Sequence, residues 1–245
     1  MQVTFNAMSK YLFQLFLGCF AVLPLALAES TYVPMKVIQT EPVLLSPRAA
    51  EVGVTSGDVR VSLQVDDTGA LTDYLVTAYS HPMLADSVVQ ALKRWKYHPA
   101  MIDGHPRSAT VDLSIAFESK GTVVVSLTLA NYVEMQTMRM RPEAFRYGAV
   151  TLRQLDRIPT PNKVVQPNYS VQSVRSPTRI VVQFYIDEQG RVRLPAVSRA
   201  TNEANEMLSA AAMEAVSQWS FEPPTSNGTP VLVAARQEFN FQPKP

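Results

Sequence analysis

The sequence predicts an α+β chain built from two copies of one unit, each a three-stranded antiparallel sheet with a helix packed on one face. Three observations predict it. Two stretches alternate apolar and polar residues in step, two later stretches carry the same helical stripe, and the turn residues of RWKYHPAMIDGHP (Arg94 to Pro106) recur in QWSFEPPTSNGTP (Gln218 to Pro230). A repeat is sought first, because missing one misassigns the whole fold.

At the N-terminus, Lys10 precedes an apolar run, Tyr11 to Ala28, that ends in Ala26-Leu27-Ala28. Small residues there fit a secretory cleavage site, and Pro24 interrupts a run already short for a span of ~20 residues. The expectation is a signal peptide over 1–28, cleaved after Ala28, and a periplasmic mature chain. The alternatives are an inner-membrane anchor that is retained and a lipoprotein cut at Cys19. Cys19 is the only cysteine, so the mature chain forms no internal disulfide.

The first unit is expected over 29–118. Val59, Val61, Leu63 and Val65 alternate with polar residues, as in a strand with one buried face. Asp66-Asp67-Thr68-Gly69 then turns the chain into a hairpin, with Gly placed for positive φ. Leu84, Val88, Ala91, Leu92 and Trp95 form a helical stripe. The helix is expected to end at Trp95, since Pro99 cannot continue it, and Gly104 before Pro106 re-aims the chain into a strand over Ser108 to Phe117. A connecting segment follows, 119–160, in which Val123, Val125, Leu127 and Leu129 alternate. This extra strand is expected to cover the last strand of the first unit. Met135, Met138 and Met140 read as adaptable filling between domains. Arg139, Arg141, Arg146, Arg153 and Arg157, interleaved with Glu134, Glu143 and Asp156, read as a solvated face.

The second unit, 161–245, repeats the first. Ile180, Val182, Phe184 and Ile186 form the strand, Asp187-Glu188-Gln189-Gly190 the turn, and Leu208, Ala212, Ala215, Val216 and Trp219 the helical stripe. Pro223 and Gly228 punctuate the crossover to a last strand over Val231 to Phe241. The offset between copies is 121 at Val59 and Ile180 but 124 at Trp95 and Trp219, which puts three extra residues in the loop near Ala200 to Glu206. Trp95, Pro99, Gly104, Trp219, Pro223 and Gly228 are thus assigned structural roles.

A formal charge of +1 with no basic run gives no footprint for nucleic acid. His81, His98 and His105 lack metal-ligand spacing, and no metal or cofactor is expected. Asp66-Asp67 and Asp187-Glu188 are explained by turns, so no catalytic residue is assigned. A hydrolase resting on Asp66 and His98 is the enzymatic alternative.

The ordered set of hairpin, helix, Trp-x-aromatic-x-Pro and Gly-x-Pro turn resembles the C-terminal domain of the TonB energy transducer, twice over, across Pro42 to Glu118 and Pro161 to Phe241. Gln166-Pro167-Asn168-Tyr169-Ser170 matches the family's Gln-Pro-x-Tyr-Pro except at Ser170. In the transducer that stretch lies close to the receptor's bound peptide, so the resemblance implies peptide binding by the second copy; the first keeps only a trace in Leu45-Ser46-Pro47. The run Tyr11 to Ala28 lacks the Ser and His of the transducer's anchor, and no Pro-rich spacer follows it.

A sheet edge offers unpaired N–H and C=O groups to an extended peptide. The expected contact residues are Gln166, Pro167 and Tyr169, with Val231, Val233, Ala235, Gln237 and Phe239 of an open last strand. The implied partner is a protein of the envelope, an outer-membrane receptor among the candidates. The alternatives are a membrane-anchored, truncated transducer and a self-associating module whose edges pair into a homodimer.

Overall fold

The computed structural model describes residues 31–118, 123–129 (backbone), 145–198 and 205–243. The expected signal peptide, Met135, Met138, Met140, Arg139, Arg141, Glu134, Glu143 and most of the loop expected to hold three extra residues lie outside them. The described chain forms one compact unit, with two hydrophobic cores and a third, smaller one between them.

In the first copy a short helix, α1 (Pro47–Glu51), starts where Ser46 accepts the Ala49 N–H and Pro47 presets the first turn. Strands β1 (Gly57–Val65) and β2 (Leu71–Tyr79) form the hairpin, α2 (Pro82–Leu92) follows, and β3 (Ala109–Phe117) lies on the other side of β1. Beyond β3 runs β4 (Val123–Leu129), and on the far side of β2 lies β5 (Tyr147–Gly148), so five strands stand in the order β5-β2-β1-β3-β4. The sheet is wider than the three strands expected because the connecting segment supplies one strand to each edge. α2 lays Leu84, Val88, Ala91 and Leu92 on Val59, Val61, Leu63 and Val65.

The second copy follows β6 (Val150–Thr151). It comprises β7 (Thr178–Ile186), β8 (Val192–Val197), α3 (Glu206–Ser217) and β9 (Val233–Phe241), in the order β6-β9-β7-β8. Asn205 caps α3 by accepting the Leu208 N–H at 3.2 Å. Leu208, Ala212 and Val216 pack with Ile180, Val182, Phe184 and Ile186. Where the first copy has α1, the second has a single 3-10 turn, Val171–Ser173.

The helices end at Leu92 and Ser217, before the tryptophans. Pro99 and Pro223 therefore do not terminate them. Each indole instead reaches back 54 residues and donates to a leading-segment carbonyl, Trp95 to Glu41 and Trp219 to Val165, both at 2.8 Å. The echoed punctuation thus closes a clasp. Gly104 and Gly228, with Asp103 and Asn227 before them, all take positive φ in two-residue hairpin turns. These are the primed turns whose twist suits paired strands.

The hairpin turns are as similar. Asp66 Oδ1 accepts the N–H groups of Thr68 and Ala70, and Asp187 Oδ1 those of Gln189 and Arg191. Neither Gly69 nor Gly190 tolerates a Cβ: it would lie 2.6 Å from the Tyr97 carbonyl oxygen in one and 2.0 Å from that of Phe221 in the other.

The helix-free faces of the sheets meet. Tyr185, Leu194 and Leu232 are buried against Leu75, Tyr147 and Ala149, so the layers run helix, sheet, sheet, helix. Ser62 and Gln183, polar residues on these inner faces, are buried with them.

Candidate functional site

A strand edge exposes half of its backbone hydrogen-bonding groups, and the four outer edges of the two sheets dispose of them differently. Beside β3, β4 runs antiparallel in unbroken register from Val111 opposite Leu129 to Phe117 opposite Val123. That side of β3 is covered, as the sequence led us to expect, and β4 becomes the outer strand there, with no described strand beyond it. Beside β2, β5 pairs with Ala78 and Tyr79, the Tyr79 and Tyr147 rings stack at 4.9 Å, and the Ala149 N–H donates to the Thr77 carbonyl at 2.8 Å. Farther along β2, the Tyr74 N–H donates to Asp73 Oδ1 at 2.8 Å, and Arg193 Nη2 donates to the Tyr74 carbonyl at 3.1 Å. Arg193, from β8, is also paired with Asp73. An ion pair between the copies therefore caps the Tyr74 backbone, which β5 does not reach.

In the second sheet, β8 carries Pro195, which has no N–H to offer, and Ser220 bridges to Arg191 just before the strand. β9 differs. Val150 donates to the Leu232 carbonyl at 2.9 Å, and β6 pairs in parallel with Val233 and Ala234. The chain then turns away at Leu152–Gln154. From Ala235 to Phe241, no described strand lies on this side of β9.

Alternate residues of a strand direct both backbone groups to the same side. Leu232 turns its carbonyl to β6, and β9 pairs with β7 without a register shift. Arg236, Glu238 and Asn240 therefore face the open side. Their groups are lightly guarded: Gln237 Nε2 donates to the Glu238 carbonyl at 2.8 Å, and the Glu238 carboxylate takes Arg179 at 2.7 Å and Asn240 Nδ2 at 3.2 Å. The hydrogen bond from Arg179, then that from Asn240, holds the Glu238 carboxyl below the usual glutamate value.

Along the same edge, on the helix side, runs a line of rings. Tyr169 meets Phe241 edge-on at 4.8 Å, Phe241 stacks with Phe239 at 6.3 Å, and Phe239 lies 6.0 Å from Trp219. Tyr169, Phe239 and Trp219 stay half-buried, whereas Trp95, Leu113, Ile115 and Phe117 of the first copy are all buried. The closed edge has a closed flank, and the open edge an accessible one.

Of the residues expected at this site, Tyr169 is brought to the end of β9, with Pro167 half-buried and Gln166 exposed two and three residues before it. Val231 lies ahead of the strand, its N–H given to the Pro224 carbonyl at 2.9 Å. Val233 is buried and flanked by Val150. These two are corrections to the expected edge, which opens only from Ala235. Ala235, Gln237 and Phe239 present side chains toward the helix face while their backbone faces β7. The residues that sequence reasoning missed are Arg236, Glu238 and Asn240, because alternation tells which side chains are buried but not which neighbour the backbone addresses.

The residues weighed for catalysis have structural places. Asp66 and Asp187 bind turn amides, His81 Nδ1 accepts the Met83 N–H at the start of α2, and His98 Nδ1 lies 2.9 Å from the Pro99 carbonyl. Among the described residues no group of three or more His, Cys, Asp or Glu could hold a metal ion, and no helix is long and apolar enough to cross a membrane.

Compared with known families, the chain matches the one described as the Gram-negative bacterial TonB protein C-terminal, over residues 46–119 and again over 166–243. No curated protein and no solved structure matches the chain.

Proposed function

Because the chain belongs to the TonB C-terminal family, a family of envelope interaction and energy-transducing domains that here occurs twice, we propose that it is a periplasmic module binding an extended segment of an envelope protein by strand addition to β9. An outer-membrane receptor is the partner the family favours. The observation that supports the reading is the contrast of edges: β3 is covered by β4 from Val111 to Phe117, β2 meets β5 and Arg193, and from Ala235 onward the side of β9 turned away from β7 has no described partner strand. Each added backbone bond contributes only ~0.5–1.5 kcal/mol net, so the rings of Tyr169, Phe239 and Trp219 must supply part of the affinity. On this reading residues 1–28 are an export signal removed after Ala28, which intact-mass measurement of the exported protein checks.

The test is retention of an envelope protein from outer-membrane extract by the mature chain and by Glu238→Pro. Proline there removes an N–H that faces the open side and leaves the β7 ladder whole; Val233 is unsuitable because its backbone faces β7. Loss of the retained protein, with unchanged circular dichroism, is expected. Undiminished retention by the folded variant rules out pairing along β9.

A further inference from the structure

The first copy has a cavity to which no strand contributes. It measures about 360 Å³ and is lined by Leu44, Ser46 and Arg48 of the leading segment and by Met83, Gln90 and Arg94 in or just after α2; Asp86 and Ser87 complete the lining. That volume lies in the lower part of the roughly 300–1,000 Å³ that small-ligand sites occupy. The repeat itself shows how much of this lining the fold requires. Leading segment and helix correspond between copies at an offset of 124: Ser46 and Ser170 hold the N-cap of the first turn, their carbonyls accept from Ala49 and Ser173, and the two indoles reach Glu41 and Val165. At that offset Leu44, Arg48, Ser87 and Arg94 correspond to Asn168, Gln172, Ala211 and Gln218. The unit therefore folds without either guanidinium and without Leu44, which stands 73% exposed. Among the described residues neither Arg48, Arg94 nor Asp86 forms an ion pair. The two arginines against Asp86 leave the lining with one positive charge, whereas the corresponding positions of the second copy carry one negative charge, from Glu214.

We infer that this cavity binds a monoanionic amphiphile, a single phosphodiester or carboxylate group carried on an apolar chain. The planar forks of Arg48 and Arg94 suit such an oxyanion. Ser46 Oγ already accepts the Ala49 N–H at 3.2 Å, which leaves its O–H to donate, and Gln90 adds an amide donor. Leu44 and Met83 give the chain an apolar bed. Asp86 holds the sum at one positive charge, which matches a monoanion and opposes a more highly charged ligand. An acidic peptide suits the cavity less well, because the backbone of α2 spends its hydrogen bonds within the helix and offers a peptide main chain no ladder to join. The site is independent of β9, so it stands or falls apart from strand addition.

The test is titration of the mature chain, followed by amide NMR, with dihexanoyl phosphatidylglycerol below its micellar concentration and separately with decanoate. Saturable shifts at Ser46, Arg48, Ser87 and Gln90, with none at Arg236, Glu238 and Asn240, are expected from at least one of them; the tighter of the two names the source of the anion. Dihexanoyl phosphatidylcholine, which has the same chains and no net charge, and inorganic phosphate, which has no chain, should each bind about tenfold more weakly or worse. Arg48→Gln and Arg94→Gln, which install the second copy's residues, should each weaken binding about tenfold with unchanged circular dichroism. Leu44→Asn should weaken the amphiphile about fivefold and leave the weak binding of inorganic phosphate as it was. No saturable shift from either amphiphile, shifts centred on β9, or binding that the two Gln variants leave intact overturns the inference. So does phosphatidylcholine or inorganic phosphate binding as tightly as the amphiphiles. A peptide of alternating glutamate and leucine that binds this cavity more tightly than both amphiphiles overturns it in favour of an acidic protein segment.

Discussion

The two copies are built by the same rules and finished differently. Both clasp their leading segment with an indole 54 residues downstream, and both bind an aspartate to the hairpin turn. They part at the last strand. The first copy has a strand laid along β3 and buries Trp95, Ile115 and Phe117; the second keeps two residues of cover on β9 and leaves Trp219 and Phe239 half-buried. What separates the two copies here is the connecting segment, which gives β4 and β5 to the first sheet and only β6 to the second.

The similarity is broken most severely at the hairpin glycines. Gly190→Ala should destabilise by more than the roughly 1–3 kcal/mol of its positive φ, because its Cβ would press 2.0 Å from the Phe221 carbonyl oxygen. Gly69→Ala, at 2.6 Å, should follow, and Gly228→Ala, with nothing within 4 Å, should lose only the φ contribution. Urea unfolding midpoints should rank in that order.

Trp95→Ala comes next, at about 3–5 kcal/mol for a buried indole. Trp219→Ala should cost less, since its ring is only half-buried, and calorimetry on both variants measures the gap. Equal losses would remove the contrast in burial between the copies.

The bond between the copies is smaller. Arg193 and Asp73 are partly exposed, so a double-mutant cycle with Arg193→Ala and Asp73→Ala should give a coupling of about 1 kcal/mol. Exchange at the Tyr74 amide should also rise in the Asp73 variant. No coupling would mean that β2 is closed by β5 alone.

The smallest effect is a pH dependence. Hydrogen bonds from Gly228 and Thr225, with one from Asn227, hold the Asp156 carboxyl below 3.8. A depressed pKa contributes stability that is present above the ordinary aspartate value and lost as pH falls through the lowered one. Asp156→Asn should flatten the acid end of the stability curve below pH 3.8 and leave the curve near neutrality parallel to that of the parent chain.

Much of this was legible from residue order. Alternation at Val59 to Val65 and Ile180 to Ile186, the stripes ending near Trp95 and Trp219, and the strand at Val123 to Leu129 all lie where periodicity put them. Helix ends were less legible, because Pro99 and Pro223 suggested a stop that the backbone had already made at Leu92 and Ser217. The clasp from each indole was invisible, since nothing in the spacing of Glu41 and Trp95 announces a hydrogen bond. Tyr169 was singled out by its motif, and the structure sets its ring against Phe241, while the open-side backbone of Arg236, Glu238 and Asn240 was not legible.

The sequence by itself determined the repeat, the local elements and which face of each strand is buried, because side-chain period and turn chemistry are properties of neighbours along the chain. Which edges close, that the helix-free faces meet, and that Arg193 reaches across to Tyr74 were decided only in the tertiary structure. A strand's outer hydrogen bonds are indifferent to its own side chains, so they go to whatever segment the folded chain brings alongside.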